Sequence, residues 1–114
     1  MTDIEKLKKD SKKIREKYPD RIPIIIEKDK KDNSIPNIDK NKYLTPSDLS
    51  IGQFMFVIRK RLNLDSNQTI YFFCDNTLIP SSTLICQLDQ TKKFEDGFLR
   101  IIYAGENSFG TQHT

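Results

Sequence analysis

Three short runs rich in β-branched and aromatic residues constrain this chain more than any other feature: Arg21 to Lys28 (RIPIIIEK), Ile70 to Cys74 (IYFFC) and Phe98 to Tyr103 (FLRIIY). Their length and their polar borders suit strands rather than helices. Between the first two lies a segment of different period. Ser50 is placed to cap a helix, and Gln53 follows three residues later as in a capping box. Phe54, Val57, Ile58, Arg61 and Leu62 then mark about three helical turns. Arg59-Lys60-Arg61 puts cations at the end where the helix dipole favours them.

Weaker signals fill in the rest. Ile4, Leu7, Ser11, Ile14 and Tyr18 recur at three- and four-residue steps, an amphipathic helix that must stop before Pro19. Pro23 removes a ladder donor and so belongs at a strand's start or on an edge. Tyr43-Leu44-Thr45 reads as a second strand, stopped by Pro46. Asp75-Asn76 reads as a turn, and Leu78-Ile79-Pro80 as a short edge strand. Leu84, Ile85 and Leu88 suggest a short helix capped by Ser81 or Ser82. The order is α–β–β–α–β–β–α–β, an α+β class.

Composition narrows the function. At 114 residues the chain is one domain with a compact core, since 31% of residues are charged and 36% hydrophobic. Residues 1–42 hold thirteen Lys and Arg against nine Asp and Glu, a surplus of four, whereas residues 43–114 hold six against seven. The basic first third favours acidic partners or an anionic membrane face. Its interleaved acids argue against nucleic acid. Cys74 and Cys86 sit among apolar residues with no C-x-x-C spacing, so both read as structural thiols of a reduced, cytosolic or nuclear chain, of which the cytoplasmic one is expected here. No apolar run approaches the roughly 20 residues of a membrane span, so membrane attachment has to be covalent or through a partner. His113 stands alone and supports neither a metal site nor a catalytic dyad. No cofactor is expected, the chain is not expected to be an enzyme, and it is expected to be a monomer.

The last nine residues read differently. Phe109-Gly110 follows the polar run Glu106-Asn107-Ser108, with four residues beyond it. A glycine near a free end lets backbone approach backbone closely, which suits a segment that threads into an enzyme's cleft. Such a tail suggests a protein that is itself a substrate.

Taken together, Lys13 to Pro23, Ile25 to Lys28, Lys42-Tyr43-Leu44, Pro46 to Leu49, Gly52-Gln53-Phe54, Ile58 to Arg61 and the Glu106 to Gly110 tail resemble GABARAP-like autophagy modifiers over roughly residues 10 to 110. The resemblance implies a ubiquitin-like β-grasp fold: a mixed four-stranded sheet packed on a central helix, with one N-terminal helix. It divides the chain into an N-terminal helical extension (1–18), a β-grasp domain (19–105) and a flexible tail (106–114) cleaved after Gly110. It implies a cysteine protease that trims the tail, then E1-like and E2-like enzymes that join Gly110 to phosphatidylethanolamine on autophagosomal membranes. Phe109 and Gly110 are the cleavage and conjugation residues.

The same resemblance implies a groove for cargo receptors bearing aromatic-x-x-aliphatic motifs, bound as an added strand beside the second strand. Asp10, Ile14, Pro23, Lys42, Leu44 and Phe98 would form the aromatic pocket. Tyr43, Thr45, Pro46, Leu49, Phe54, Val57 and Arg61 would form the aliphatic one. Arg21, Lys40 and Lys42 would meet acidic residues flanking the peptide. By pattern alone Ile14, Leu49, Phe54 and Val57 also read as core residues, and Lys40 and Lys42 as charges guarding a sheet edge. A second reading is an unconjugated β-grasp adaptor for peptides or small GTPases.

Departures from the family pattern are few. Its members usually carry two helices before the first strand, and only about one fits here. Thr45 stands where an apolar residue is common, Gly97 replaces an aromatic, and the loop at Asp29 to Asn37 is one residue longer.

Overall fold

The computed structural model describes residues 2–92 and 94–105. Helix α1 (Asp3–Lys17) precedes strands β1 (Arg21–Lys28) and β2 (Lys42–Pro46), helix α2 (Ile51–Leu62), strands β3 (Ile70–Cys74) and β4 (Thr77–Leu78), helix α3 (Ile85–Lys92) and strand β5 (Leu99–Gly105). The sheet is mixed and runs β2-β1-β5-β3-β4. It therefore has five strands, the number in the element order read from the sequence, rather than the four that the resemblance implied, because the two-residue β4 pairs with β3. Asp75 and Asn76 make that pairing possible. Both adopt positive φ (53° and 63°), the geometry of a two-residue hairpin turn whose twist matches the strands it joins. The edge strand is thus Thr77–Leu78 and not 78–80.

One face of the sheet carries the main core. Ile22, Ile24 and Ile26 of β1 alternate inward and meet Phe72 of β3 and Ile101 and Tyr103 of β5, with Ile51, Phe54, Ile58 and Leu62 of α2 packed over them. Ser50 caps α2 as the sequence suggests: its hydroxyl accepts from the Gln53 amide at 3.1 Å, and Gln53 returns a bond to the Ser50 amide at 2.9 Å. Helix α3 begins later than expected. Its first turn is bound by the Gln87 side chain accepting from the Leu84 amide at 3.0 Å. Ser81 is not a cap; its carbonyl accepts from the Gly52 amide at 2.9 Å.

Helix α1 is held differently from its sequence pattern. Ile4 and Tyr18 of the apolar stripe are exposed, and Ser11 is the residue buried deepest in the helix. Polar contacts dock it instead. The Ser11 hydroxyl donates to the Asp96 carbonyl at 2.6 Å. Arg15 makes two 2.9 Å bonds to the carboxylate of Asp89 and also donates to the Gly97 carbonyl at 2.7 and 3.0 Å. A bidentate pair of this kind, sheltered from water, is stronger and more directional than an exposed one.

Gly97 is the counterpart of that docking. Its φ is +87°, and a Cβ there would collide with Ser11 Oγ and stand 3.0 Å from Ser11 Cβ. This explains why an aromatic residue is absent at that position. Replacing Gly97 by Ala is expected to cost about 2 kcal/mol through strain and the displaced Ser11. Urea unfolding followed by circular dichroism, with an unchanged m-value, checks it.

Candidate functional site at the free edge of the sheet

Strand β2 is an edge strand, bonded to β1 on one side only. Its register pairs Ile24 with Tyr43 and Pro23 with Leu44. The Ile26 amide donates to the Asn41 carbonyl at 2.8 Å. Alternation along an antiparallel ladder then turns the backbone of Tyr43 and Thr45 toward β1 and that of Lys42, Leu44 and Pro46 outward. Among the described residues, Lys42 and Leu44 thus present amides and carbonyls with no strand partner at the edge. Pro46 sits where its missing N–H costs no ladder bond. Pro23 solves the same problem inside the sheet. Its nitrogen faces the β5 side one residue before β5 pairing begins at Ile24 and Leu99.

Side chains follow the opposite alternation. Lys42 and Leu44 share the α1 face with Pro23. A cavity of about 340 Å³ lies there, lined by Asp10, Lys13 and Ile14 of α1, by Pro23, by Lys42, Tyr43 and Leu44, and by Phe98. All six residues predicted for the aromatic pocket meet around this one cavity. Its floor is apolar, with Phe98 and Pro23 buried, and its rim carries Lys13, Lys42 and Asp10. Lys13 was not anticipated from sequence. Its only signal is its place beside Ile14 and three residues after Asp10.

On the α2 face the predicted second group is less uniform. Phe54 is a core residue, 1% exposed, packed edge-on against the Tyr43 ring at 5.6 Å and the Phe72 ring at 5.8 Å. Thr45 is also buried, its hydroxyl donating to the Ile22 carbonyl at 3.5 Å. Leu49 is half-buried against the core, Pro46 is exposed, and Val57 is 45% exposed. Arg61 is held by Asp39 through bonds of 2.8 and 3.0 Å, and this hydrogen-bonded partner keeps the Asp39 carboxyl below its usual range. Asp39 is a second residue the sequence did not single out.

Cations line the approach. Lys40 and Lys42 are exposed, as is Arg21 across the strand pair, and Lys40 Nζ stands 5.0 Å from the centre of the Tyr43 ring. Among the described residues the Tyr43 hydroxyl is buried without a hydrogen-bond partner. Burial pushes its pKa up. Cys74 is buried and its thiol likewise raised by burial, while Cys86 is half-buried. Among the described residues no cluster of His, Cys, Asp and Glu is placed to hold a metal, and no helix is long and apolar enough to cross a membrane. Phe109 and Gly110 lie outside the described residues.

A mixed sheet wrapped over one principal helix, with its first and last strands parallel at the centre, is the ubiquitin-like β-grasp fold. Comparison with known proteins gives the family. The family described as autophagy protein Atg8, ubiquitin like, matches residues 6–110. Autophagy-related protein 8e of Arabidopsis thaliana is 56% identical over 108 residues, covering 95% of this chain and 88% of the relative. Autophagy-related protein 8 of Schizosaccharomyces pombe is 56% identical over 108 residues, covering 94% and 88%. A crystal structure of Trypanosoma brucei ATG8 superposes with a TM-score of 0.86 at 40% identity, covering 92% of this chain and 90% of that one. The chain belongs to the Atg8 family of autophagy ubiquitin-like proteins.

The unpartnered Tyr43 hydroxyl generates a test of the packing. A buried polar group without a partner costs more than its absence. Tyr43→Phe is therefore expected to leave stability unchanged or raise it by about 1 kcal/mol, read from the urea midpoint.

Proposed function

We propose that this protein is an autophagy modifier that is cut after Gly110, conjugated through that glycine to phosphatidylethanolamine, and used on autophagosomal membranes to recruit cargo receptors along β2. The observation that carries the receptor half is the free edge with apolar ground on both of its faces. An extended peptide added beside β2 turns successive side chains to opposite faces. Residues three apart therefore fall on opposite faces, one over the Pro23–Leu44–Phe98 cavity and one toward Leu49 and Val57. Aromatic-x-x-aliphatic spacing follows from that parity. The bulky aromatic fits the 340 Å³ cavity. Exposed Arg21, Lys40 and Lys42 favour acidic residues at the peptide's flank, which speed encounter and fix direction.

Family membership supports the conjugation half. Hydrolysis adds water across the Gly110–Thr111 amide and leaves a Gly110 carboxylate. An E1-like enzyme would activate that carboxylate with a nucleoside triphosphate and capture it as a thioester. An E2-like enzyme would accept the thioester, and the lipid amine would displace the thiolate to form an amide. A glycine offers the least hindered acyl carbon for each transfer. The chain supplies no catalytic group to these steps; the enzymes do.

Two measurements check these halves separately. An acidic-flanked aromatic-x-x-aliphatic peptide is expected to lose at least about tenfold in affinity when Leu44 becomes Arg. Shortening its spacing to aromatic-x-aliphatic should cost a similar factor, because both anchors then point to one face. Equal binding of the two spacings by calorimetry would contradict the edge-strand mode. For conjugation, intact mass of the chain recovered from cells should show a form ending at Gly110 and a heavier phospholipid-bearing form. Gly110→Ala should abolish the heavier one; its persistence would sink the assignment.

A further inference from the structure

Strand β1 ends at Lys28, whereas β5 runs on to Gly105. Beyond Lys28 the side of β5 that faced β1 has lost its ladder partner. Two loop groups replace it. The Tyr103 carbonyl accepts from the Asp29 amide at 2.8 Å. Two residues on, the buried Gly105 amide points the same way and donates to the carboxylate of Asp32.

Asp32 is itself only 1% exposed. Its other oxygen accepts from the amide and the hydroxyl of Ser34, both at 2.6 Å. Burial works against its ionisation, but the Ser34 and Gly105 donors and the charge of Lys28 hold its carboxyl below the ordinary range. Gly105 is shaped for this contact: a Cβ there would collide with Ser34 Oγ and stand 3.2 Å from Asp32 Oδ2. After Asp32 the Tyr103 hydroxyl donates to the Pro36 carbonyl at 2.7 Å and Ile35 is buried, so that with the Asp29 bond before it the loop is fastened on both sides of the carboxylate.

We propose that the Asp32–Ser34 turn is a latch that fixes the point from which the C-terminal tail projects, making Asp32 and Ser34 positioning residues for cleavage after Gly110. The proposal rests on the reading that the tail is cut there. Only Glu106 to Gly110 separate the latch from the scissile bond. Five extended residues reach about 17 Å. Anchoring Gly105 therefore keeps the Gly110 carbonyl within about 17 Å of the latch. Releasing Gly105 lengthens the span between the last fixed residue and the scissile bond and dilutes the productive geometry.

The test uses the full chain with Asp32→Ala and Ser34→Ala, the family's tail-trimming cysteine protease, and amide hydrogen exchange. Gly105 exchange is expected to quicken at least about tenfold in Asp32→Ala while the Ile101 amide, in the core of the same strand, keeps its rate. Cleavage kcat should fall about threefold or more with KM held within about twofold, because domain docking is untouched. Ser34→Ala, which keeps the carboxylate and removes one donor, should fall between; should Asp32→Ala fail to fold, it carries the test alone. An unchanged kcat with a freed Gly105 amide would overturn the proposal and leave the turn a purely structural brace. An unaltered chain that the protease leaves uncut would overturn the processing reading itself, a result distinct from a cut chain indifferent to Asp32.

Discussion

The parallel pairing of β1 with β5 sets the terms for the rest of the molecule. It joins Ile24 to Leu99 and Lys28 to Tyr103, so the first and last strands form the centre of the sheet. With β5 on one side of β1, the following strand has only the other side available. β2 is thereby driven to an edge, with Lys42 and Leu44 left unbonded on their outer side. The same pairing decides where the chain leaves the fold. Because β5 outruns β1, its last amide needs a partner from the loop.

The two faces of the sheet are built by different forces. The α2 face is a conventional apolar core, in which alternating isoleucines of β1 and every third or fourth residue of α2 meet. Its stability comes mainly from area removed from water. The α1 face depends on directed polar contacts: Ser11 to Asp96, and Arg15 to Asp89 and Gly97. Such contacts fix position more sharply than apolar burial does. The cavity between Ile14 and Leu44 keeps its shape because Arg15 and Ser11, beside and one turn before Ile14, pin the helix.

Much of this was legible along the chain, and the illegible parts share a cause. The β-branched run RIPIIIEK, the Ser50–Gln53 box and the Asp75-Asn76 turn are encoded within a few residues, and they stand in the structure where they were read. The aromatic-cavity residues could be gathered only through family resemblance, since Asp10 and Phe98 share no local pattern. Helix α1 stands where it was read, with Ser11 of its stripe turned inward, but the groups that anchor it are not local. Ser11 bonds a residue 85 positions away, and Arg15 one 74 positions away. Ser81 and Ser82 looked like caps because serine often is one, but α3 starts only at Ile85, where the Gln87 side chain takes the Leu84 amide instead. The partnership of Asp32 with Gly105, 73 positions apart, left no trace in the loop's own composition.

The central strand pair also governs how the fold is reached. Ile24 cannot find Leu99 until some seventy residues between them have been made, so the middle of the sheet is the last part available to a chain emerging from the ribosome. Contacts of such separation pay loop closure before they return any stability, which slows folding. Until β5 arrives, the isoleucines of β1 and the aromatics of β3 have no completed sheet to enter. A nascent chain of this kind leaves the apolar residues of β1 without their central partner strand until β5 has been made. The strand that completes the sheet is also the one that ends at Gly105, so Gly105 meets Asp32 only once the sheet has closed.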